Sequence, residues 1–196
     1  MCESNSNDRI IIPAAQAFEI VGRASQVYVR ECPCRALAQN CSRDIWEGCL
    51  LFENAAPEDL QGARSISTAA ASAILKAAVE RNSVYNLFYT HDDRIVTELC
   101  NCCTCCCRPL RRMKEAGNYR VQLRSEYVAV TDAALCVGCG ACAESCFFEA
   151  RQVEDGALHL LEQRCFGCGR CIEGCPEGAL RLEREVGRGV SIPSST

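Results

Sequence analysis

The sequence predicts an α+β protein in two parts: an amino-terminal domain that is mainly helical and rich in cysteine, and a smaller module built of two similar halves. Three observations carry this prediction. Apolar residues recur at helical spacing in the first half, and an alternating pattern indicates a β-hairpin before a dense cysteine run. Near the carboxy terminus, one pattern of four cysteines occurs twice, at an offset of 29 residues.

The predicted domains follow from changes in composition along the chain. Polar residues at the start and a linker-like composition at the end predict disorder at both termini. Between them, a basic segment separates the two parts. The predicted boundaries are a disordered start at 1–8, the Cys-rich domain at 9–118, a linker at 119–126, the repeated module at 127–185 and a flexible tail at 186–196.

The elements of the first domain are predicted from periodicity and capping. An apolar stripe predicts a helix over 14–26, followed by a short strand at Val27–Arg30. Ser67 is a favourable N-cap for an alanine-rich helix at Thr68–Glu80. The hairpin is predicted from two strands, Val84–Thr90 and 95–99, joined by a turn.

Each half of the second module is predicted as a strand, a cysteine loop, a helical turn and a returning strand. The strands are predicted at Tyr127–Thr131 and 180–183, the first helical turn at 141–146, and a hairpin turn at Asp155-Gly156.

The repeated cysteine runs predict metal clusters. They read Cys136-x2-Cys139-x2-Cys142-x3-Cys146 and Cys165-x2-Cys168-x2-Cys171-x3-Cys175-Pro176. A loop with a cysteine at every third position can wrap three thiolates around one 4Fe–4S cube. Paired CxxC units also build zinc sites, but zinc sites do not need the third and fourth cysteines in both copies. The spacing therefore favours iron–sulfur clusters over zinc.

On both runs, their glycines and Cys175-Pro176, residues 127–185 resemble the bacterial two-cluster ferredoxins. The resemblance implies two βαβ-like halves, two 4Fe–4S clusters and low-potential transfer of single electrons. It also implies that the fourth cysteine of each run crosses to the other cluster. One cube would bind Cys136, Cys139, Cys142 and Cys175, and the other Cys165, Cys168, Cys171 and Cys146. The sequence departs from the family at Phe147, where a proline is usual.

Ten further cysteines are candidate ligands of an additional centre in the first domain. They are Cys32, Cys34, Cys41, Cys49, Cys100, Cys102, Cys103, Cys105, Cys106 and Cys107. The last six fall within eight residues, so several must face a common centre. Thiolate-only ligation suits an iron–sulfur cluster or zinc, and a dithiol redox switch is a third possibility. Because the same chain is predicted to carry two cubes, an additional iron–sulfur cluster is favoured over zinc. The CPCR and CNCCTCCC segments resemble the amino-terminal region of poorly characterised iron–sulfur proteins of anaerobic microbes.

Composition and charge limit the possible settings. Nineteen cysteines in a chain without a signal-peptide pattern predict a cytoplasmic, metal-binding protein. No apolar stretch is long enough for membrane insertion, and a net charge of -4 argues against nucleic-acid binding. His91 is expected to be a solvated surface residue. A basic segment forms either a solvated face or a docking patch for an acidic partner: Arg108, Arg111, Arg112, Lys114, Arg120 and Arg124.

The predicted function is intracellular electron transfer by an iron–sulfur protein, as a single-electron relay or as a subunit of a larger oxidoreductase. The expected partner is a redox protein or an oxidoreductase complex, and the sequence names no small-molecule substrate. One alternative is a redox enzyme whose amino-terminal cluster binds substrate. Another is a redox-sensing regulator, since the helix and hairpin at 68–99 loosely resemble a winged helix. The sequence favours a carrier or subunit over an enzyme acting alone.

Overall fold

The fold is described from a computed structural model for residues 7–38, 41–119, 123–154 and 156–190. Six α-helices lie in these ranges: α1 (Ala14–Arg23), α2 (Pro33–Ala38), α3 (Thr68–Glu80), α4 (Arg108–Glu115), α5 (Ala141–Glu144) and α6 (Arg170–Glu173). The strands there are β1 (Asn7–Ile12), β2 (Val27–Arg30), β3 (Cys49–Phe52), β4 (Arg64–Ile66), β5 (Val84–Thr90), β6 (Val96–Cys102), β7 (Leu123–Arg124), β8 (Tyr127–Thr131), β9 (Arg151–Glu154), β10 (Ala157–Leu160) and β11 (Leu180–Arg184).

A seven-stranded sheet organises the amino-terminal part, in the order β4-β2-β3-β6-β5-β1-β7. Helices α1 and α3 cover one face, where Leu75, Leu87 and Leu99 are fully buried. Because side chains alternate along a strand, the other face receives the intervening residues. On β6 these are Glu98, Cys100 and Cys102. One face of the sheet is thus an apolar core, and the opposite face carries thiols.

Local sequence accounts for the helices that position this sheet. The Ser67 side chain accepts a hydrogen bond from the Ala70 N–H at 3.2 Å, so the predicted N-cap of α3 is confirmed. The predicted strands at Val27–Arg30, Val84–Thr90 and Tyr127–Thr131 are also confirmed. Helix α1 begins where predicted but ends at Arg23, three residues early.

The prediction of a mainly helical first domain was wrong. Three strands went unrecognised there, because β1 ends in the unbroken apolar run Ile10–Ile12, β3 is a short apolar run and β4 spans three residues. Strand β6 also runs on to Cys102, whereas the prediction ended it at residue 99. Its pairing with β3 places Cys49 opposite Cys100, so the cysteine run begins inside the sheet.

The carboxy-terminal part consists of two antiparallel strand pairs with a one-turn helix in each half. Strand β8 pairs with β11, and β9 pairs with β10. The hairpin joining β9 and β10 was predicted, although Asp155 of its turn lies outside the described residues. Strand β7, within the segment predicted as a linker, pairs in parallel with β1.

The two parts share a buried apolar cluster on the thiol-bearing face of the sheet. It joins Ile11 and Val84 of the sheet with Leu110 and Met113 of α4, and Phe148 and Phe166 of the carboxy-terminal part complete it. The two phenylalanine rings lie 4.5 Å apart, centroid to centroid. These phenylalanines therefore pack the two parts together. We call this set the interdomain cluster.

Candidate metal centres

The eight cysteines of the two repeated runs line two separate cavities. Cys136, Cys139, Cys142 and Cys175 line one of them. Cys146, Cys165, Cys168 and Cys171 line the other. The structure thus brings the fourth cysteine of each run beside the first three of the other, which is the grouping that the ferredoxin resemblance implied. Four thiols around one cavity are the donor set that a 4Fe–4S cube needs.

The backbone of the two loops is nearly the same. Gly138 and Gly167 have φ values of 70° and 69°, a left-handed conformation that other residues rarely adopt. At Gly167, a Cβ would also lie 2.2 Å from the Tyr127 carbonyl oxygen. These glycines let the loops turn tightly around the cavities.

One hydrogen bond to sulfur repeats in both halves. The Ala150 N–H donates to Cys146 Sγ at 3.3 Å, and the Ala179 N–H donates to Cys175 Sγ at 3.4 Å. Such bonds stabilise thiolate charge and orient the sulfur. Both fourth cysteines are therefore held in the same way.

The two cavities differ in their exposure to solvent. Near the first, Cys139 is exposed and the flanking Val137 side chain is 68 % exposed. Near the second, Cys165 and Cys171 are buried, and burial raises the pKa of the Cys168 thiol. Phe147, which stands where the second run has Pro176, packs edge-on against Phe148. The first site faces solvent, and the second faces the interdomain cluster.

Arg151 is a buried cation that interacts with one cysteine of each carboxy-terminal cavity, Cys142 and Cys171. Its guanidinium donates to the Ala129 carbonyl oxygen at 2.6 Å and to Thr131 Oγ1 at 2.8 Å. Burial raises the pKa of Cys142, and it raises that of Cys171 to about 11, while the charge of Arg151 lowers both. The arginine thus stabilises thiolate at one cysteine of each set. Sequence analysis missed it.

Six of the ten amino-terminal cysteines form a closed ring of neighbouring thiols, which we call the six-thiol ring. Each member interacts with the next in the order Cys32, Cys34, Cys107, Cys102, Cys100 and Cys49, and Cys49 interacts in turn with Cys32. Between Cys49 and Cys100 the Sγ atoms are 3.6 Å apart. Strand β3 supplies Cys49, and strand β6 supplies Cys100 and Cys102. Helix α2 supplies Cys34, Cys32 lies just before it, and Cys107 is the N-cap of α4.

The thiol pKa values of the ring shift in opposite directions. Interactions with Cys100 and Cys32 lower the pKa of Cys49, and interactions with Cys100 and Cys107 lower that of Cys102. The pKa values of Cys32, Cys100 and Cys107 are raised, chiefly by interactions with neighbouring thiols. Thiolates flanked by thiols can bind metal ions once the remaining protons leave.

An ion pair stands beside the ring. Arg30 makes two hydrogen bonds with the Glu98 carboxylate, at 3.0 and 2.9 Å. Burial and the nearby Cys49 raise the pKa of Glu98 to about 8, although Arg30 lowers it. The Cys100 thiol in turn donates to Glu98 at 3.1 Å. Glu98, Cys100 and Cys102 alternate along β6, and this alternation was the sequence signal for Glu98.

The ring borders a cavity of about 290 Å³, which all six thiol residues help to line together with Arg30, Glu98 and Phe88. A water molecule occupies about 30 Å³ in the liquid, so the cavity is on the order of ten times larger. Gly48 makes room for the ring, because a Cβ at this position would lie 2.3 Å from Cys32 Cβ.

The other four amino-terminal cysteines form a separate set, which we call the four-thiol set. The Sγ atoms of Cys41, Cys103, Cys105 and Cys106 all lie within 4.8 Å of one another. Cys41 is 3.8 Å from Cys103 and 3.9 Å from Cys105. Burial acts to raise the pKa of Cys103, but hydrogen bonds with Cys106, Cys105 and Arg35 outweigh it and lower the pKa.

All ten predicted amino-terminal candidates therefore fall into one of two sets, although the sequence did not indicate the division. His91 is in neither. It is exposed and bonded to Asp8 at 2.7 Å, which raises its pKa. Every cysteine in the described ranges is a free thiol.

Comparison with known families identifies the class of the carboxy-terminal part. Residues 135–180 match the family model of the 4Fe-4S dicluster domain. Comparison with curated proteins and with solved structures gave no match. Together with the clustered cysteines, the match over these residues supports an iron–sulfur protein. The resemblance of its amino-terminal region to proteins of anaerobes stays a prediction.

Among the helices of the described ranges, none has the length and apolar character that a membrane span requires.

Proposed function

We propose that this chain is a single-electron relay, acting alone or as a subunit of a larger oxidoreductase. In the proposed arrangement, one 4Fe–4S cube binds Cys136, Cys139, Cys142 and Cys175, and the other binds Cys146, Cys165, Cys168 and Cys171. The observation that carries the proposal is the grouping of these eight thiols around two cavities, in agreement with the family match. Bound cubes would supply one-electron chemistry at low potential.

The interdomain cluster supports a path for the relay. Cys146 and Cys168, which line the second cavity, pack against it, and so does Cys102 of the six-thiol ring. Cys107 of the same ring is buried within it. Phe148, Phe166, Leu110 and Met113 fill the space among them and are at most 1 % exposed. Such packing excludes water, which favours electron transfer because little solvent must reorganise. We infer that electrons pass from the cluster site that faces solvent, lined by Cys136, Cys139, Cys142 and Cys175, through the site that faces the interdomain cluster to the six-thiol ring.

A redox partner protein or oxidoreductase complex would dock at the first cluster site, which faces solvent. Leu135 and Val137 flank Cys136 and are 51 % and 68 % exposed, so they offer apolar contact next to a cluster ligand. The basic face of α4 is a second surface, with exposed Arg108 and Arg112, that would attract an acidic partner. The proposed location is the cytoplasm, where these thiols would stay reduced.

An EPR-monitored redox titration of anaerobically purified full-length chain tests this function. The expected result is reversible uptake of one electron by each of two cubes, with magnetic interaction between them. A chain that contains eight or more irons but takes up no electrons reversibly would overturn the relay. Iron content and redox behaviour are thus measured separately.

The large cavity favours a second function, a redox enzyme whose amino-terminal centre binds a small molecule. Arg30 and Glu98 give one side of the cavity a polar character, and the exposed Glu31 is among its lining residues. Adding carbon monoxide or cyanide to the reduced chain should then change the spectrum of the amino-terminal centre while leaving the cube signals intact. An unchanged spectrum would contradict this function and leave the relay.

A further inference from the structure

We propose that the ten amino-terminal cysteines form two metal sites of different classes. The six-thiol ring would bind one iron–sulfur cluster with more than four irons, and the four-thiol set would bind a single zinc ion. The first assignment rests on the proposed function, because it names the centre that receives the electrons. The second is independent of it.

The spacing of the four-thiol set fits a single tetrahedral ion. With a zinc–sulfur bond of about 2.3 Å, the edge of a regular ZnS₄ tetrahedron is about 3.8 Å. The distances from Cys41 to Cys103 and Cys105, 3.8 and 3.9 Å, match this edge. Cys103 and Cys106 are closer, at 2.6 Å, and would separate by about 1.2 Å to take up the same edge. No room is left among these four sulfurs for several bridged irons.

The chain connectivity suits a structural role for this ion. Cys103, Cys105 and Cys106 lie in the turn between β6 and α4, and Cys41 comes from the loop after α2. An ion bound by all four would fasten that loop to the turn and close a segment of about sixty residues. Four protein ligands complete the coordination of zinc, as is usual in structural sites.

The six-thiol ring needs a larger centre. Each iron of a 4Fe–4S cube takes one external thiolate, so a single cube would leave two of the six thiols without iron. All six interact with their neighbours in the ring and line the same cavity of about 290 Å³, where Cys103 of the four-thiol set also reaches the edge. A single ion would reach only a few of them. A cluster with more than four irons can bind all six.

Arg35 interacts with both sites. The side chain is 3 % exposed and donates to the carbonyl oxygens of Asp44 and Asn101, at 2.6 and 2.8 Å. It also interacts with Cys103 of the four-thiol set and has an electrostatic interaction with Cys32 of the ring. A fixed guanidinium beside two groups of thiolates offsets their mutual repulsion, so both sites can be occupied together.

Metal and sulfide analysis of the anaerobically purified full-length chain tests the proposal, with zinc-edge X-ray absorption as a second measurement. We expect more than twelve irons and one zinc per chain, the zinc being surrounded by four sulfurs at about 2.3 Å. About twelve irons would reduce the ring centre to an ordinary cube and overturn the first assignment. Nitrogen or oxygen around zinc, or iron in place of zinc, would overturn the second.

Two variants serve as controls for each other. Cys105→Ser, at an exposed position of the four-thiol set, should abolish stoichiometric zinc without lowering the iron content. Cys49→Ser, in the ring, should reduce the iron content to about eight and retain zinc. Loss of the same metal in both variants would show one shared site and overturn the division. EPR signals of the two cubes, if retained in both variants, show that the dicluster domain is intact, and retention of the other amino-terminal metal in each variant shows that the amino-terminal domain is folded.

Discussion

Cys49 lies directly opposite Cys100 in the antiparallel pairing of β3 and β6, and their Sγ atoms are 3.6 Å apart. The two residues are about fifty positions apart in the sequence, so only the sheet brings them together. Their side chains leave the sheet on the face opposite the apolar core. The rigidity of the paired strands therefore fixes part of the six-thiol ring before any metal binds, which lowers the entropic cost of assembling the site.

Gly48→Ala should damage the six-thiol ring selectively. The new Cβ would lie 2.3 Å from Cys32 Cβ and 3.0 Å from Cys32 Sγ, so Cys32 must move away from the ring. We expect loss of the iron in excess of eight per chain, with the signals of the two cubes retained. Iron analysis and EPR provide the measurement.

Gly22→Ala is the matched control, because a Cβ at Gly22 meets nothing within 4 Å. In helix α1 this change should leave the iron content unaltered and stabilise the chain by up to about 1 kcal/mol. Full iron content in Gly48→Ala would contradict the role given to Cys32.

The grouping of the eight carboxy-terminal cysteines could be anticipated from the sequence because much of its geometry is local. Each run places three cysteines and two glycines in one short loop, and the offset repeat shows that both loops are alike. The two amino-terminal sets depend instead on long-range pairing. Nothing near Cys41 in the sequence indicates that it lies beside Cys103 while Cys49 lies beside Cys100. That division follows from strand register, which a single sequence does not specify.

The error about the first domain has a similar origin. Alternation was the criterion for strands, and it identifies the hairpin of β5 and β6, but Ile10, Ile11 and Ile12 form a continuous apolar run. In the structure, Ile10 and Ile12 enter the core beside α1, whereas Ile11 enters the interdomain cluster. A strand buried on both faces carries no alternation. The clearest unused signal was Glu98, which shares a strand face with Cys100 and Cys102.

Replacing the fourth cysteine of each run by serine tests whether that cysteine binds the cluster of the other run. Cys146→Ser should perturb the cluster bound by Cys165, Cys168 and Cys171, because Cys146 lines that cavity. Cys175→Ser should perturb the other cluster. Paramagnetic NMR of the cysteine β-protons in each variant shows which cluster changes. The opposite pattern in the two variants would mean that each run binds its own cube.

Leu110→Ala should weaken the packing between the two parts of the chain. Leu110 is fully buried in the interdomain cluster, so truncation leaves a cavity and should lower the free energy of unfolding by about 2–4 kcal/mol. Anaerobic denaturant unfolding measures the change. Leu37→Ala is the control, since Leu37 is 64 % exposed and its truncation should cost less than about 0.5 kcal/mol. Equal effects would show that the cluster does not hold the parts together.

Arg151 should raise the reduction potentials of both cubes. Its buried guanidinium favours the thiolate at Cys142 and at Cys171, and a nearby positive charge stabilises the more negative, reduced form of a cluster. Arg151→Met should therefore lower both potentials, by on the order of 50–100 mV for an interaction of about 1–2 kcal/mol. Arg151→Lys keeps the charge and should shift the two potentials less.

Arg181→Met is the control for these variants. It removes an exposed arginine that pairs with Glu183, so it should leave both potentials nearly unchanged. Potentiometric titration followed by EPR measures each cube in the three variants. A shift confined to one cube, or equal shifts in the Met and Lys variants at Arg151, would contradict a charge effect shared by both clusters.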